Sequence, residues 1–283
     1  MREGRIAGAA LDVFLEEPTT ESPLFELDSV VVTPHLGAST AEAQDKAGQT
    51  IAEQVVLALR GEFVPFAVNL AATEASATVQ PYMPLAERLG RLFTSVAGGT
   101  VDTLEISYEG QIADYDCRVL TLSVLKGVLG PVVDEPVSFV NAPQLAQERG
   151  LVVRETTSSS ARDYVNLIEL RGHTADGATH VAGTLYGKHD APRIVAIDDY
   201  IVDLPPSSHM LVVRNVDKPG MVGRVATIVG DHAINIDEMD LGRGPAGDVS
   251  LMLLATSTPV PPEVVGELRA TEGVVDARAI ELD

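Results

Sequence analysis

The chain has 283 residues, of which 45% are hydrophobic and 22% are charged, and this composition is typical of a folded globular protein. Its length predicts two domains or three small ones, since a domain commonly holds about 100 to 200 residues. The 41 acidic and 20 basic residues give a net charge of −21, which disfavours nucleic acid and anionic membranes as partners.

The beginning of the chain predicts part of an α/β unit. Short apolar runs at residues 9–14 and 30–33 are typical of strands in a parallel sheet that is buried on both faces. The chemistry of such sheets lies in the loops beyond the carboxyl ends of the strands, so residues 12–17 and His35 lie at the predicted site. A hydroxyl N-cap followed by regularly spaced apolar residues predicts one helix over about residues 40–60.

The middle of the chain predicts an α+β domain between two linkers. Small and polar residues at 70–78 indicate the first linker, and the sequence PPSS at residues 205–208 indicates the second. The apolar spacing between them alternates between the helical and the strand period. The expected elements are helices at residues 84–97 and 120–133 and strands at residues 104–108, 152–153, 164–171, 179–186 and 193–202.

The last segment has a βαββαβ rhythm, which predicts a ferredoxin-like domain. Pro219 and Pro262 lie near the expected helix starts, where a missing N–H has no cost. The expected strands are residues 209–216, 233–241, 249–256 and 274–282, the helices are 219–232 and 262–272, and a turn is expected at 242–247. The domains are therefore expected at residues 1–69, 70–206 and 207–283.

Several features argue against export or membrane insertion. Cys117 is the only cysteine, which excludes an intrachain disulfide and suits a reducing cytoplasm. Asp12 interrupts the first apolar run, so we do not expect a signal peptide. Arg60 and Glu62 break the best candidate for a membrane span, residues 55–72. We predict a cytoplasmic protein without membrane partners and without a metal site.

Four segments carry a family resemblance: GRIAGAALDVF at residues 4–14, Glu17-Pro18, Pro23-Leu24-Phe25, and VVTPHLGAST at residues 31–40. Their order and spacing closely resemble the end of the nucleotide domain in D-2-hydroxyacid dehydrogenases, in particular the long form that oxidises 3-phosphoglycerate. The resemblance implies a remnant of a doubly wound nucleotide domain, followed by an α+β intervening domain and a ferredoxin-like ACT domain. It also implies NAD as the cofactor.

The resemblance assigns catalytic roles to two residues. His35 would take the proton from the substrate hydroxyl as hydride leaves for the nicotinamide, and Glu17 would pair with His35. This pairing is chemically sound without the family, because a neighbouring carboxylate raises the pKa of an imidazole and fixes its orientation. Without the surrounding motif, a histidine after a proline and a glutamate before one would more simply be a loop residue and a solvated turn acid.

The resemblance also assigns cofactor contacts. Asp12 would accept a hydrogen bond from the nicotinamide amide, and His35, Leu36, Gly37 and Ala38 would lie against the nicotinamide ring. Gly37 would allow the backbone to approach the cofactor closely.

The rest of a dinucleotide site is not expected in this chain. Such a site needs Gly-x-Gly-x-x-Gly between a strand and a helix, and neither Gly98-Gly99 nor Gly220 with Gly223 forms it. The substrate-clamping arginine of the family is not expected either. The chain therefore looks like a C-terminal portion that neither binds NAD tightly nor oxidises 3-phosphoglycerate alone.

The last domain resembles an ACT domain, which senses amino acids. In residues 215–223, backbone N–H groups at a helix start would hold a carboxylate. Asn215, Asp217 and Asn235 would hold the ammonium and hydroxyl groups of L-serine, bound between paired ACT domains of a homo-oligomer. Alternatively, Asp217 caps the helix and Asn235 bends a strand entry.

Other interpretations remain open. Lys188 and Arg193 of the intervening domain are candidate anion contacts, although separated cations are more often surface charges. A stand-alone amino-acid-binding regulator without catalysis is the alternative from another functional class. A different 2-hydroxyacid dehydrogenase is a weaker alternative, because an ACT domain argues against it.

Overall fold

A computed structural model of the chain describes residues 1–70, 76–99, 101–161, 163–174, 177–242, 244 and 248–283. The expected linker at 70–78 and the expected turn at 242–247 lie partly outside these residues. The chain divides into two compact units, Met1–Val64 and Pro65–Asp283. Among the described residues, no helix is both long enough and apolar enough to cross a membrane.

The first unit contains the two expected strands and the expected helix. Strands β1 (Ala9–Leu11) and β2 (Val30–Val32) pair in parallel, and helix α1 spans Ala41–Leu59. The side chain of Thr40 accepts a hydrogen bond from the amide of Ala43 at 3.2 Å and so caps this helix. The expectation that the strands are buried on both faces is wrong for this unit, since 65% of Val31 is exposed. Helix α1 of the same unit likewise has no buried residue.

The second unit begins with an α+β domain, as predicted. Its sheet has the strand order β4-β3-β5-β6-β7-β8, in which β3 and β4 are parallel and all other neighbours are antiparallel. The helices are α2 (Met83–Ala97), α3 (Arg118–Leu129) and α4 (Ala142–Glu148). The strands are β3 (Thr103–Gly110), β4 (Val152–Ser158), β5 (Asn166–Thr174), β6 (Gly177–Tyr186), β7 (Ala191–Ile197) and β8 (Tyr200–Leu204).

Two elements of this domain differ from the prediction. The single strand expected at 193–202 is a hairpin, because Asp198 has a φ of 49° and turns the chain between β7 and β8. Aspartate tolerates this left-handed conformation better than most residues, which makes the two-residue turn possible. Helix α4 was not predicted, because seven residues are too few to show a helical period.

Helices α2 and α3 cross at two glycines. A Cβ atom at Gly90 would lie 2.4 Å from the carbonyl oxygen of Val124, and one at Gly127 would lie 2.0 Å from the carbonyl oxygen of Glu87. The helices therefore touch backbone to backbone. Glycine is needed here for close approach, since any side chain would overlap main-chain atoms.

The second unit ends in the predicted ferredoxin-like domain. Its four strands form an antiparallel sheet in the order β10-β11-β9-β12, and two helices pack on one face through an apolar core. Pro262 is the first helical residue as expected, whereas Gly220 with a φ of 92° caps α5 and leaves Pro219 outside that helix. The elements are β9 (His209–Val216), α5 (Met221–Asp231), β10 (Ile236–Gly242), β11 (Val249–Thr256), α6 (Pro262–Ala270) and β12 (Val274–Glu281).

Candidate functional site

The parallel pairing of β1 with β2 brings together the loops that follow these strands, and with them the predicted catalytic pair. The Nδ1 atom of His35 lies 2.7 Å from Oε2 of Glu17. The other carboxylate oxygen of Glu17, Oε1, accepts a hydrogen bond from the amide of Phe14 at 2.9 Å. Glu17 is therefore held at both oxygens, and its hydrogen bond fixes the orientation of the imidazole.

The pair changes the pKa of each partner in opposite directions. The hydrogen bond to Glu17, followed by the attraction between the charges, raises the pKa of His35 above 6.5. The hydrogen bond from His35, supported by the Phe14 amide, lowers the pKa of Glu17. Since 55% of the His35 side chain is exposed, it can exchange protons with solvent or substrate. These are the properties of a general acid and base.

Asp12 anchors the loop that carries His35. Its Oδ1 accepts hydrogen bonds from the Thr33 hydroxyl and from the Leu36 amide at 2.7 Å, and its Oδ2 accepts one from the Gly37 amide at 2.6 Å. The Thr33 hydrogen bond, then that of Leu36, lowers the pKa of Asp12 and keeps it ionised. This anchoring role was not predicted. A carboxylate and a hydroxyl at the ends of neighbouring parallel strands are the signal that could have revealed it.

The anchored loop has a constrained backbone. His35 has a φ of 58°, a conformation that is uncommon for residues other than glycine. A Cβ atom at position 37 would lie 3.0 Å from Oδ2 of Asp12, so Gly37 permits this close contact. Ala38 follows the anchored segment and is exposed. Of the four contiguous loop residues predicted to face the cofactor, the Asp12 carboxylate thus holds the middle two, Leu36 and Gly37, by their amides.

A cavity of about 530 Å³ lies beside the His35–Glu17 pair. Phe14 and Phe25, whose rings meet edge to face at 5.6 Å, form part of its apolar wall. Apolar walls next to a proton-exchanging imidazole fit the reacting end of NAD. The turn between β2 and α1 contains one glycine, Gly37, and so lacks the glycine-rich cradle for a pyrophosphate.

The expectation that the sequence contains no Gly-x-Gly-x-x-Gly pattern is wrong. The pattern occurs once, at Gly242, Gly244 and Gly247. This segment, partly outside the described residues, joins β10 to β11, which pair with each other in an antiparallel sense. A dinucleotide fingerprint joins a strand to a helix, so these glycines do not indicate a cofactor site.

Replacing Glu17 with glutamine should lower the pKa of His35 toward its ordinary value of 6.5, because the hydrogen-bonded negative charge is lost. Histidine titration by NMR measures this change. The wild-type pair should stabilise the fold at a pH between the lowered pKa of Glu17 and the raised pKa of His35, where both groups are charged, and that contribution should fade as the pH rises through the pKa of His35 or falls through the pKa of Glu17. Glu16→Gln is the matched control, because Glu16 is the adjacent carboxylate and should leave His35 unchanged. A His35 titration that is identical in Glu17→Gln and wild type would contradict the assignment.

A second candidate site lies in the ferredoxin-like domain, where Asn215 and Asp217 line a cavity of about 730 Å³ beside the start of α5. Asn215 is 1% exposed, and its side-chain NH₂ group donates to the carbonyl of Val216 at 2.8 Å. Its Oδ1 has no hydrogen-bond partner among the described residues. A buried acceptor without a partner is costly, so this atom favours a ligand with a hydrogen-bond donor.

Asn235, the third predicted effector residue, lies at the other end of the same sheet. Asn215 is opposite Ser250 on β11, whereas the carbonyl of Asn235 accepts from the amide of Ser257 at 3.1 Å. Ser250 and Ser257 are separated by about 23 Å of extended chain, at roughly 3.3 Å per residue. The side chain of Asn235 donates to Asp237 at 2.6 Å. One copy of the chain therefore does not bring the three residues together.

Arg193, a candidate anion contact, is engaged by acidic residues. Its guanidinium lies 3.6 Å from Asp203 and 3.8 Å from Glu238, and these carboxylates offset its charge. Lys188 remains a prediction.

Comparison with known protein families gives three matches along the chain. Residues 1–37 match the NAD-binding domain of D-isomer-specific 2-hydroxyacid dehydrogenases. Residues 78–198 match the D-3-phosphoglycerate dehydrogenase intervening domain, and residues 209–273 match the ACT domain. His35 and Glu17 therefore lie within the segment that matches the NAD-binding domain, and Asn215 and Asp217 lie within the segment that matches the ACT domain.

Curated relatives named D-3-phosphoglycerate dehydrogenase match nearly the whole chain. The protein of Mycobacterium leprae (strain TN) is 41% identical over 93% of this chain and 50% of its own length. Those of Mycobacterium tuberculosis (strain H37Rv) and Methanocaldococcus jannaschii are 40% and 37% identical, over 99% and 100% of this chain and 52% and 54% of their own lengths. The chain spans about half the length of the curated relatives it matches. The chain is thus similar to proteins named D-3-phosphoglycerate dehydrogenase, and it carries matches to part of a 2-hydroxyacid dehydrogenase NAD-binding domain, to the D-3-phosphoglycerate dehydrogenase intervening domain and to the ACT domain.

Proposed function

We propose that this chain is the part of an NAD-dependent 3-phosphoglycerate dehydrogenase of L-serine biosynthesis that carries the acid/base pair and senses L-serine. The catalytic half of the proposal rests on the 2.7 Å contact between His35 and Glu17. The names of the relatives and the match to a 2-hydroxyacid dehydrogenase domain support the same reaction class. The reaction is the oxidation of the substrate hydroxyl to a ketone, which gives 3-phosphohydroxypyruvate.

His35 accepts the proton that leaves the substrate hydroxyl. Glu17 accepts a hydrogen bond from Nδ1, so the neutral imidazole has its lone pair on Nε2 and can take the hydroxyl proton there. The carboxylate of Glu17 then stabilises the imidazolium that forms. The role of NAD, when bound, is to accept the hydride. The anchor from Asp12 to the amides of Leu36 and Gly37 holds the imidazole in place.

The regulatory half of the proposal rests on the buried, unpartnered Oδ1 of Asn215 in the ACT cavity. We propose L-serine as the ligand and a second copy of the chain as the partner that completes the site. Strand β10 lies at the edge of its sheet and, within the described ranges, pairs only with β11. A two-fold axis near the middle of β10 would place Asn235 of one copy beside Gly242 of the other, and Gly242 lines the cavity.

Calorimetric titration with L-serine tests this regulatory function. The wild-type chain should give saturable heat, and Asp217→Ala should weaken binding by about 10- to 100-fold, because the ligand ammonium loses a charged partner. Glu272→Ala, which removes an exposed carboxylate elsewhere in the ACT domain, should bind as the wild type does. Equal heats for Asp217→Ala and the wild type would remove Asp217 from the site. No heat from the wild-type chain would contradict serine sensing.

A further inference from the structure

The cavity of the ACT domain is bounded by residues of two domains. Asn215 and Asp217 belong to the ACT domain, whereas Tyr200 begins strand β8 of the intervening domain and lines the same cavity. The hydroxyl of Tyr200 donates a hydrogen bond to the carbonyl oxygen of Val249 at 3.1 Å. Val249 begins β11, next to Ser250, which is opposite Asn215 in the sheet. Tyr200 is therefore hydrogen-bonded to strand β11, which pairs with β9 at Asn215, the residue whose Oδ1 has no partner among the described residues.

Two glycines of the ACT domain make room for Tyr200. A Cβ atom at Gly244 would lie 2.6 Å from both Cδ1 and Cε1 of the Tyr200 ring, and one at Gly242 would lie 2.9 Å from Cβ of Tyr200. Neither glycine has a backbone conformation that itself requires glycine. Their lack of side chains is explained by the packing of Tyr200 against them.

The β7–β8 hairpin is attached to the ACT domain on either side of Tyr200. Before Tyr200, the carboxylate of Asp198 accepts a hydrogen bond from Arg214, the residue next to Asn215. After Tyr200, the amide of Asp203 donates to the Asp240 carboxylate at 2.8 Å. These contacts fix the position of the Tyr200 backbone relative to the cavity. The Tyr200 ring therefore lines the cavity in a fixed position.

We propose that Tyr200 is a specificity-determining residue of the ACT cavity, supplied by the intervening domain. This inference rests on the proposed function, because it names a further residue of the same amino-acid site. A ligand that contacts Tyr200 touches both domains at once. By linkage, its binding stabilises the docking of β8 on the ACT sheet, and that docking in turn favours binding. Ligand binding at this site thereby stabilises the contact between the ACT domain and the intervening domain.

Tyrosine fluorescence tests the proximity of Tyr200 to the ligand, since the chain has 6 tyrosines and no tryptophan. Titration of the full wild-type chain with L-serine should change the tyrosine emission, and Tyr200→Phe should lose most of this change while still binding L-serine by calorimetry. Tyr186→Phe is the matched control, because Tyr186 is 69% exposed and is not among the residues that line this cavity. A change of emission that persists in Tyr200→Phe would overturn the proposal.

The selectivity of the cavity between two ligands distinguishes a residue that contacts the ligand from one that only supports the fold. Tyr200→Ala should shift the ratio of the affinities for L-threonine and L-serine toward L-threonine by about tenfold, because removal of the ring leaves room for the extra methyl group. If Tyr200 only supported the fold, Tyr200→Ala would weaken the binding of both amino acids in equal proportion, and that result would overturn the proposal. Should Tyr200→Ala fail to fold, the Tyr200→Phe fluorescence result decides. If the wild-type chain gives no heat with L-serine, the proposed function fails, and this inference fails with it.

Discussion

Gly127→Ala should destabilise the second unit by roughly 3 kcal/mol or more. The added methyl group would lie 2.0 Å from the carbonyl oxygen of Glu87 and 3.0 Å from the amide nitrogen of Arg91. These are backbone atoms of α2, so no change of side-chain rotamer can relieve the overlap. The two helices would have to move apart, and the apolar side chains packed around the crossing would lose contacts.

Chemical denaturation of the two variants Gly127→Ala and Gly266→Ala measures this effect with a matched control. Gly266 lies in the exposed face of α6, and a Cβ atom there would meet no atom within 4 Å. Because alanine favours the helix over glycine, Gly266→Ala should stabilise the protein by about 0.5 to 1 kcal/mol. The same substitution in two helices should therefore have opposite signs. A Gly127→Ala variant at least as stable as the wild type would contradict the close crossing.

The α2–α3 crossing also matters for the joint between the two domains. Arg88 on α2 donates to the carboxylate of Asp283 at 2.7 Å, and the carbonyl oxygen of Ser95, also on α2, accepts from Arg278 of β12 at 3.0 Å. Helix α2 thus packs on α3 on one side and contacts the ACT domain at two points. An alanine at Gly127 of α3 that displaces α2 would therefore disturb the α2 surface that contacts the ACT domain.

The elements that the sequence predicted well are those with a strong local pattern. Helix α1 has a hydroxyl cap and a regular apolar spacing, and its ends differ from the predicted ones by one residue. The βαββαβ order of the last domain followed from strand-like and helical periods separated by glycine and proline. The contact between His35 and Glu17 was expected from the family resemblance, because the two residues are 18 positions apart and the chain between them carries no local signal for it.

The features that were missed depend on contacts between distant parts of the chain. Asp12 anchors residues 24 and 25 positions later, and Tyr200 packs on glycines of another domain. No periodicity marks such pairs. The burial of β1 and β2 was predicted wrongly because a strand pattern reports which side chains can be buried, while actual burial requires covering layers. Parallel sheets of this kind are covered on both faces in complete α/β domains.

The separation of Asn235 from Asn215 gives the second large expected effect. If L-serine binds between two ACT domains, each site takes Asn215 and Asp217 from one copy and Asn235 from the other. Asp217→Ala and Asn235→Ala should then each weaken binding at both sites of a dimer. A dimer made of one copy of each variant should differ, because one of its sites has both residues intact and the other has lost both.

The central claim, that this chain senses L-serine in a site completed by a second copy, is tested most directly with this mixed dimer. The two variants are expressed together with different affinity tags, the mixed dimer is purified through both tags, and L-serine binding is measured by calorimetry. We expect about half the wild-type number of sites per dimer at close to wild-type affinity, while each variant alone binds weakly or not at all. A mixed dimer that binds no better than either variant alone would contradict the claim.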